Sequence, residues 1–231
     1  RNKRNPIAWE TTISEAGNLV SLGFMATGKK WNEVGKELFK NPYAQFLKVN
    51  TDFVKRWRVN EKTSLVAHIN AGVIWSYGNN TYAPFSEQFF VGGANTIRAF
   101  PVRGIGPGRM RPDDGGLSYL FQTGDMKFLA NLECRFNLFG SLNGALFLDA
   151  GNVWNISSGS NDVECFKLSR LPRDLAVGTG FGLRYDLEFL VVRVDWGFAI
   201  HAPYDTGYGG YFNMRRFGDM QSINFAVGYP F

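Results

Sequence analysis

The chain has 231 residues, 45% of them hydrophobic and 16% aromatic, with 27 Gly and only 9 Pro, which is long enough to bury one core and too apolar for disorder. Its formal charge of +5 comes from basic residues scattered along the chain without a tract, which argues against nucleic acid as a partner. No run of about 18 apolar residues occurs, so a spanning helix is excluded, whereas a membrane barrel of alternating strands is not.

Taken in chain order, eight segments alternate apolar with polar or small side chains, the period of a strand. Residues 7–14 form a weak first segment, followed by a long connection, 18–42, in which 31–40 is expected to make a short amphipathic helix. In 47–58, Leu47, Val49, Phe53 and Trp57 oppose Lys48, Asn50, Asp52, Arg56 and Arg58. After a short turn at 59–62, Leu65, Ala67, Ile69, Val73 and Trp75 oppose Ser64, His68, Asn70 and Gly72. A long connection fills 76–125. The clearest alternation follows at 126–138, with Phe128, Leu132, Cys134 and Phe136 on one face and Lys127, Asn131, Glu133, Arg135 and Asn137 on the other. A turn at 139–141 leads to 142–151, where Leu146, Leu148 and Ala150 oppose Phe147 and Asp149. Beyond the long connection 155–173, residues 176–186 carry Gly178, Gly180 and Gly182 on one side; these glycines either let another segment approach the wall or relieve curvature. A turn at Leu187 and Glu188, a strand with Val192, Val194 and Trp196 opposite Arg193 and Asp195, a long connection at 201–221 and a last segment from Ile223 complete the chain.

Long and short connections therefore alternate strictly, and the fold is expected to be all-β and antiparallel with its long loops at one end. A soluble sandwich gives no reason for that asymmetry, whereas an outer-membrane barrel has short periplasmic turns and long outer loops. The charged faces agree: apolar residues would meet acyl chains and the charges would line a wet lumen, because a charge at the bilayer midplane costs about 2–4 kcal/mol. Trp9, Trp57, Trp75, Trp154 and Trp196 fall in or at the ends of strands, as an interfacial girdle requires. A loop of about fifty residues overfills a small closed barrel, so the chain is expected to be half of a larger one with 77–124 folded inward. Arg98 in that loop then needs planar acceptors, and strand parity places Glu133 and Asp149 on the same lumen side. The alternative is a solvated loop charge and a screened carboxylate, a pair worth about 0–1 kcal/mol.

Other chemistry fails. The glycine-rich run at 104–108 lacks the strand before and helix after that a phosphate cradle needs. Asp113 and Asp114 are adjacent turn carboxylates that need not converge. With His68 and His201 the only histidines, neither a multi-histidine metal site nor a triad around His201 and Ser222 is indicated. No cofactor, metal or catalytic residue is expected. Cys134 is expected to face lipid and Cys165 an outer loop, both structural. No signal-like segment opens the chain at Arg1, so the sequence is expected to begin after processing or to be a piece of something longer.

Motif by motif, the sequence resembles the BamA/TamA family of outer-membrane assembly factors. Gly92 and Gly93 followed by Ile97, Arg98, Ala99 and Phe100 resemble that family's signature in the sixth outer loop, with Ala99 in place of the usual Gly; Val102-Arg103-Gly104-Ile105 competes but lacks the aromatic. Phe147-Leu148-Asp149-Ala150-Gly151 resembles the wall motif, Asn131-Leu132-Glu133-Cys134-Arg135 the strand before it, and Gly228-Tyr229-Pro230-Phe231 the aromatic C-terminal strand. The resemblance implies that residues 1–231 are the C-terminal part of an outer-membrane barrel domain, the last eight of sixteen strands. It further implies a latch of Arg98 to Asp149 and Glu133, and a lateral seam at Gly228, Pro230 and Phe231, where a proline without an N–H weakens pairing. The implied activity is insertion and folding of β-barrel proteins into the bacterial outer membrane. Its implied partners are outer-membrane lipids, unfolded barrel substrates and periplasmic or lipoprotein accessory subunits. A two-partner-secretion polypeptide transporter and a passive porin are the rival readings. The Gly106-Pro107-Gly108 element is similar to TamA-like lipoprotein members of Bacteroidota.

Overall fold

A computed structural model describes residues 5–112, 121–156, 162–214 and 216–231; Asp113 and Asp114 lie outside them. Strand β1 (Ile7–Ala16) leads into helix α1 (Asn18–Ala26) and a two-residue ladder of β2 (Glu37–Leu38) with β3 (Asn41–Pro42). The long strands that follow are β4 (Phe46–Arg58), β5 (Thr63–Ser76), β6 (Met126–Phe139) and β7 (Leu142–Trp154). A short helix α2 (Leu171–Asp174) precedes β8 (Ala176–Asp186), β9 (Val191–His201) and β10 (Gln221–Val227). One antiparallel eight-stranded sheet takes them in the order β1-β4-β5-β6-β7-β8-β9-β10, so each long strand pairs with its neighbours in sequence and the edges are β1 and β10. No described helix is long and apolar enough to cross a membrane.

The alternation fixes the sidedness of this sheet. Across β6 and β7, Leu132 faces Leu148 and Ala130 faces Ala150, while Asn131 faces Asp149 and Glu133 faces Phe147. The first set is turned outward, with Leu132, Leu146 and Leu148 exposed; the second is buried on the concave side. The same division runs through β9 and β10, where Arg193 and Asp195 are buried and Ile223, Phe225 and Val227 are exposed, Phe225 to 78%. A protein whose charges are inside and whose leucines are outside is matched to an apolar solvent. We therefore expect Leu148→Arg, at mid-strand on the outer face, to cost about 2–4 kcal/mol of stability in bilayers; equilibrium unfolding in vesicles measures it, and a neutral result would contradict the sidedness.

The long connections lie at one end and the short turns at the other, as the sequence predicts. The described residues of this loop, 77–112 and 121–125, return over the concave face, bridged at Phe89 with Gly124 and at Val91 with Ile105. The apolar core lies between this loop and the wall: Val91, Ile97, Phe100 and Ile105 of the loop pack with Ile74, Leu129, Val153, Ala176 and Ala199 of the strands.

Three expectations need correction. Trp154 is no part of an outer girdle: unlike the exposed Trp9, Trp57 and Trp75 it is fully buried, its Nε1 donating to Asp174 Oδ2 at 3.3 Å. Residues 31–40 are not a helix: Gly35, Phe39 and Lys40 have positive φ, and Lys36 is drawn inward, its Nζ donating to the Trp31 carbonyl at 2.8 Å. Buried Lys36 thus organises a turn, while the helix of this loop is α1. Nor does the last strand reach Phe231. It ends at Val227, and Gly228, with φ +83°, turns the tail inward. Phe231 stacks on His68 with ring centroids 4.8 Å apart, and the Arg135 guanidinium lies 4.5 Å from the Tyr229 ring. Pro230 occupies no ladder position, so its missing N–H does not weaken the edge; β10 is weak because it is short.

Candidate functional site

The tip of the inward loop is shaped by its glycines. Gly92 and Gly93, with φ of +102° and +88°, reverse the chain so that the Gly93 N–H donates to the Phe100 carbonyl at 2.8 Å and the Phe100 N–H donates to the Ile97 carbonyl at 3.1 Å. The Thr96 hydroxyl donates to the Gly92 carbonyl at 2.8 Å. With Ile97 and Phe100 anchored in the core, Arg98 and Ala99 are presented to the wall.

Arg98 is 1% exposed, and Glu133 and Asp149 are fully buried. Its Nε and Nη2 donate to Oδ2 and Oδ1 of Asp149, each at 2.8 Å, and its backbone N–H donates to Oδ2 at 3.0 Å. Nη1 donates to Glu133 Oε2. The guanidinium carbon sits 3.6 Å from the Phe147 ring centroid, so one face is stacked while the edge is fully paired. Such a bidentate fork on an aromatic is available to Arg and not to Lys. Burial alone would lower the pKa of this group, but the bonds and charges of Asp149 and Glu133 outweigh it and raise it.

Around the latch lies a larger charge cluster. The Arg135 Nε donates to Glu133 Oε1 at 2.7 Å, and Arg184 pairs with Glu133 at 3.3 Å and with Asp195 at 2.8 Å. Arg193 pairs with Asp195 at 2.9 Å and donates to the Ala94 carbonyl, also at 2.9 Å, gripping the loop a second time. The Asn131 amide donates to Asp149 at 2.8 Å and to the Thr96 carbonyl at 2.7 Å, leaving its oxygen to His68 Nδ1 at 2.8 Å, whose Nε2 lies 2.9 Å from Asp52. From the edge strand, the Asn224 amide donates to the Arg98 carbonyl at 2.8 Å. Away from the strands, burial pushes the Asp125 and Asp174 carboxyls above their ordinary range, against partly compensating bonds from Gln88 and Trp154.

Close approach of loop to wall depends on missing side chains. A Cβ at Gly178 would stand 2.4 Å from the Ala99 methyl, one at Gly180 2.6 Å from the Phe147 ring, and one at Gly182 2.0 Å from an Asp195 carboxylate oxygen. Of the three, only Gly178 makes room for the loop; Gly180 and Gly182 make room within the wall, against the Trp196 carbonyl and Phe147 and against Asp195 and Arg184. The methyl of Ala99, where a second glycine was the expected residue, fits because Gly178 opposite has none.

The structure thus brings together Arg98, Glu133, Asp149 and Phe147, with Gly92, Gly93, Ile97, Ala99 and Phe100 shaping the loop. Gly151 lies on the same strand as Asp149, two residues on, where a Cβ would stand 2.5 Å from the Phe128 carbonyl oxygen of β6. The competing Arg103 lies between Phe85 and Phe90, 4.8 Å from each ring, and has no part in the latch. Gly228, Pro230 and Phe231 leave the strand edge, as described. Sequence reasoning missed Arg184, Asn224 and Gly197, the last lying against the Arg98 and Ala99 backbone, and named Arg193 and Asp195 only as inner-face charges. Parity was the available signal: Arg184 continues the row of Gly178, Gly180 and Gly182.

Comparison with known proteins fits this geometry. The Omp85 superfamily domain matches residues 14–231. No curated protein matches the chain. Among solved structures, BamA from Haemophilus ducreyi lacking POTRA domains 1–3 is similar with TM-score 0.56 and 17% identity, covering 78% of this chain and 34% of that one. CdiB from Acinetobacter baumannii is similar with TM-score 0.47 and 13% identity, covering 80% of this chain and 27% of that one. The chain thus spans about a third of the BamA structure it resembles. Matched over nearly its whole length, and carrying an antiparallel sheet like that of the BamA barrel, the chain belongs to the Omp85 superfamily of outer-membrane β-barrel proteins.

Proposed function

We propose that this chain is the C-terminal half of a sixteen-stranded barrel that folds and inserts other β-barrel proteins into the bacterial outer membrane through a lateral seam beside β10. The observation that carries the reading is the occupied lumen. A passive porin needs an open aqueous path, whereas here the concave face is covered by a loop fixed through Arg98 to two buried carboxylates. Among the described residues, such a loop is hydrogen-bonded to the edge strand only through the Asn224 amide, so the seam can part at the cost of that bond.

The edge suits that role. β10 has 7 residues against 11 in β9, so it offers a short ladder for closure, and an edge with free N–H and C=O groups can template an incoming strand. The substrates would be unfolded barrel polypeptides, with outer-membrane lipids as the surrounding phase and periplasmic or lipoprotein subunits as helpers.

The test is reconstitution of the full-length protein into liposomes with an unfolded barrel protein added from outside. We expect the added protein to fold severalfold faster than in empty liposomes while conductance stays low and intermittent. Steady conductance without faster folding would indicate a channel; transfer of an unfolded polypeptide across the bilayer without its insertion would indicate a secretion transporter.

A further inference from the structure

At the short-turn end of the concave face the wall borders an open cavity of about 780 Å³ whose lining includes neither Arg98 nor Asp149. Its charged lining is Arg56, Arg58, Lys62, Arg135 and Arg184 against the single carboxylate of Glu61. Arg135 and Arg184 are already shared with Glu133 and Asp195. Arg56, Arg58 and Lys62 form no ion pair among the described residues, so within these residues three cations line this space with Glu61 as the one acid beside them. Asn60, Asn137 and Asn143 add amides beside them.

From this lining we infer that the cavity is a docking site for an acidic segment of an extended polypeptide, its carboxylates received by Arg56, Arg58 and Lys62 as it enters the lumen. Charge complementarity names the chemistry, since guanidinium groups pair with carboxylates through two parallel hydrogen bonds. The side of the sheet names the source. The cavity is on the concave face, behind the wall whose other face carries Leu146, Leu148 and Phe181, so bilayer headgroups do not lie against it. Its place at the turn end, opposite the long loops, puts it where a chain would arrive before meeting the loop. Convergent like charges also raise the local concentration of an oppositely charged segment and speed its capture. The inference rests on the assembly reading for the identity of the polypeptide, but the site's preference for carboxylates is measurable by itself.

The experiment uses the full-length protein in detergent micelles and the fluorescence anisotropy of two short labelled peptides, one alternating Asp with Ser and the other Asn with Ser. We expect the Asp peptide to bind, with affinity falling as salt is added, and the Asn peptide not to bind. The Arg56→Gln/Arg58→Gln/Lys62→Gln variant should lose about tenfold in affinity for the Asp peptide, the product of three exposed charge contacts, with protease protection of residues 89–106 unchanged. Equal binding of both peptides, undiminished affinity in the triple variant, or displacement of the Asp peptide by short-chain phosphatidylglycerol but not by excess unlabelled Asp peptide would each overturn the inference. A wild-type protein that speeds barrel folding but fails the peptide test overturns this inference alone. One that binds the Asp peptide without speeding folding overturns the assembly reading and leaves the site.

Discussion

Replacing Arg98 with alanine is expected to release the inward loop from the wall and to cost about 3–5 kcal/mol, the range for breaking a buried ion pair on one side. The cause is what remains behind. Asp149 loses two side-chain donors and Glu133 one, and both are fully buried while the loop is down, so the closed state strands them and only lifting the loop lets water replace the lost bonds. Protease cleavage and amide hydrogen exchange across residues 89–106, measured in the intact barrel, read the outcome; unchanged protection would remove the latch from consideration. Arg98→Lys should rescue only in part, because an ammonium can neither fork onto Asp149 while reaching Glu133 nor lie flat on Phe147. Combining Arg98→Ala with Asp149→Asn should cost less than the sum of the two, since the second change removes a charge the first has stranded. Additive effects would mean that the two residues do not act as a pair.

Gly197→Val is expected to open the loop at the same point without altering any charge. A Cβ at residue 197 would stand 2.7 Å from the Arg98 carbonyl oxygen and 2.8 Å from the Ala99 nitrogen. Both are backbone atoms of the loop tip, so no rotamer change relieves the clash and the tip must lift. Overfilling a packed contact of this kind costs about 1–3 kcal/mol. The expected signature is faster amide exchange at Gly93 and Phe100, whose N–H groups close the tip, with the outward strands unaffected. If exchange there stays slow, loop and wall are not in the contact described, whatever the ion pairs do. The two substitutions separate charge from shape, since Gly197→Val leaves every charged group of the latch in place and Arg98→Ala adds no bulk.

How much of this was legible in the sequence follows from what local pattern encodes. Period-two alternation placed Glu133 and Asp149 on one face and the leucines on the other, because side chains on a strand alternate sides without exception unless a bulge intervenes. The turn at 59–62 and the strand Ala176–Asp186 coincide with the observed elements. The partnership of Arg98 with those carboxylates also follows from parity, once the loop is turned inward. What sequence could not supply is the content of contacts between elements distant in the chain. Arg193 gripping Ala94, and Asn224 reaching the Arg98 carbonyl, join residues 99 and 126 positions apart. The helix misplaced to 31–40 shows a related limit: an apolar spacing was present there, but burial of Lys36 among backbone carbonyls overrode it. The tail failed for a different reason, since an aromatic run read as strand is turned inward at Gly228, and only the positive φ there reveals it.

The bond from Asn224 to the Arg98 carbonyl ties the last strand to the very tip that the interior acids hold. Any motion that peels β10 away from its neighbour must stretch or break that bond, at a cost of about 0.5–1.5 kcal/mol. By reciprocity, whatever loosens the tip makes the peeling cheaper by the same amount. Rim and plug in this molecule therefore report on one another, and a ligand that favours either one's displaced state is felt at the other through a single amide.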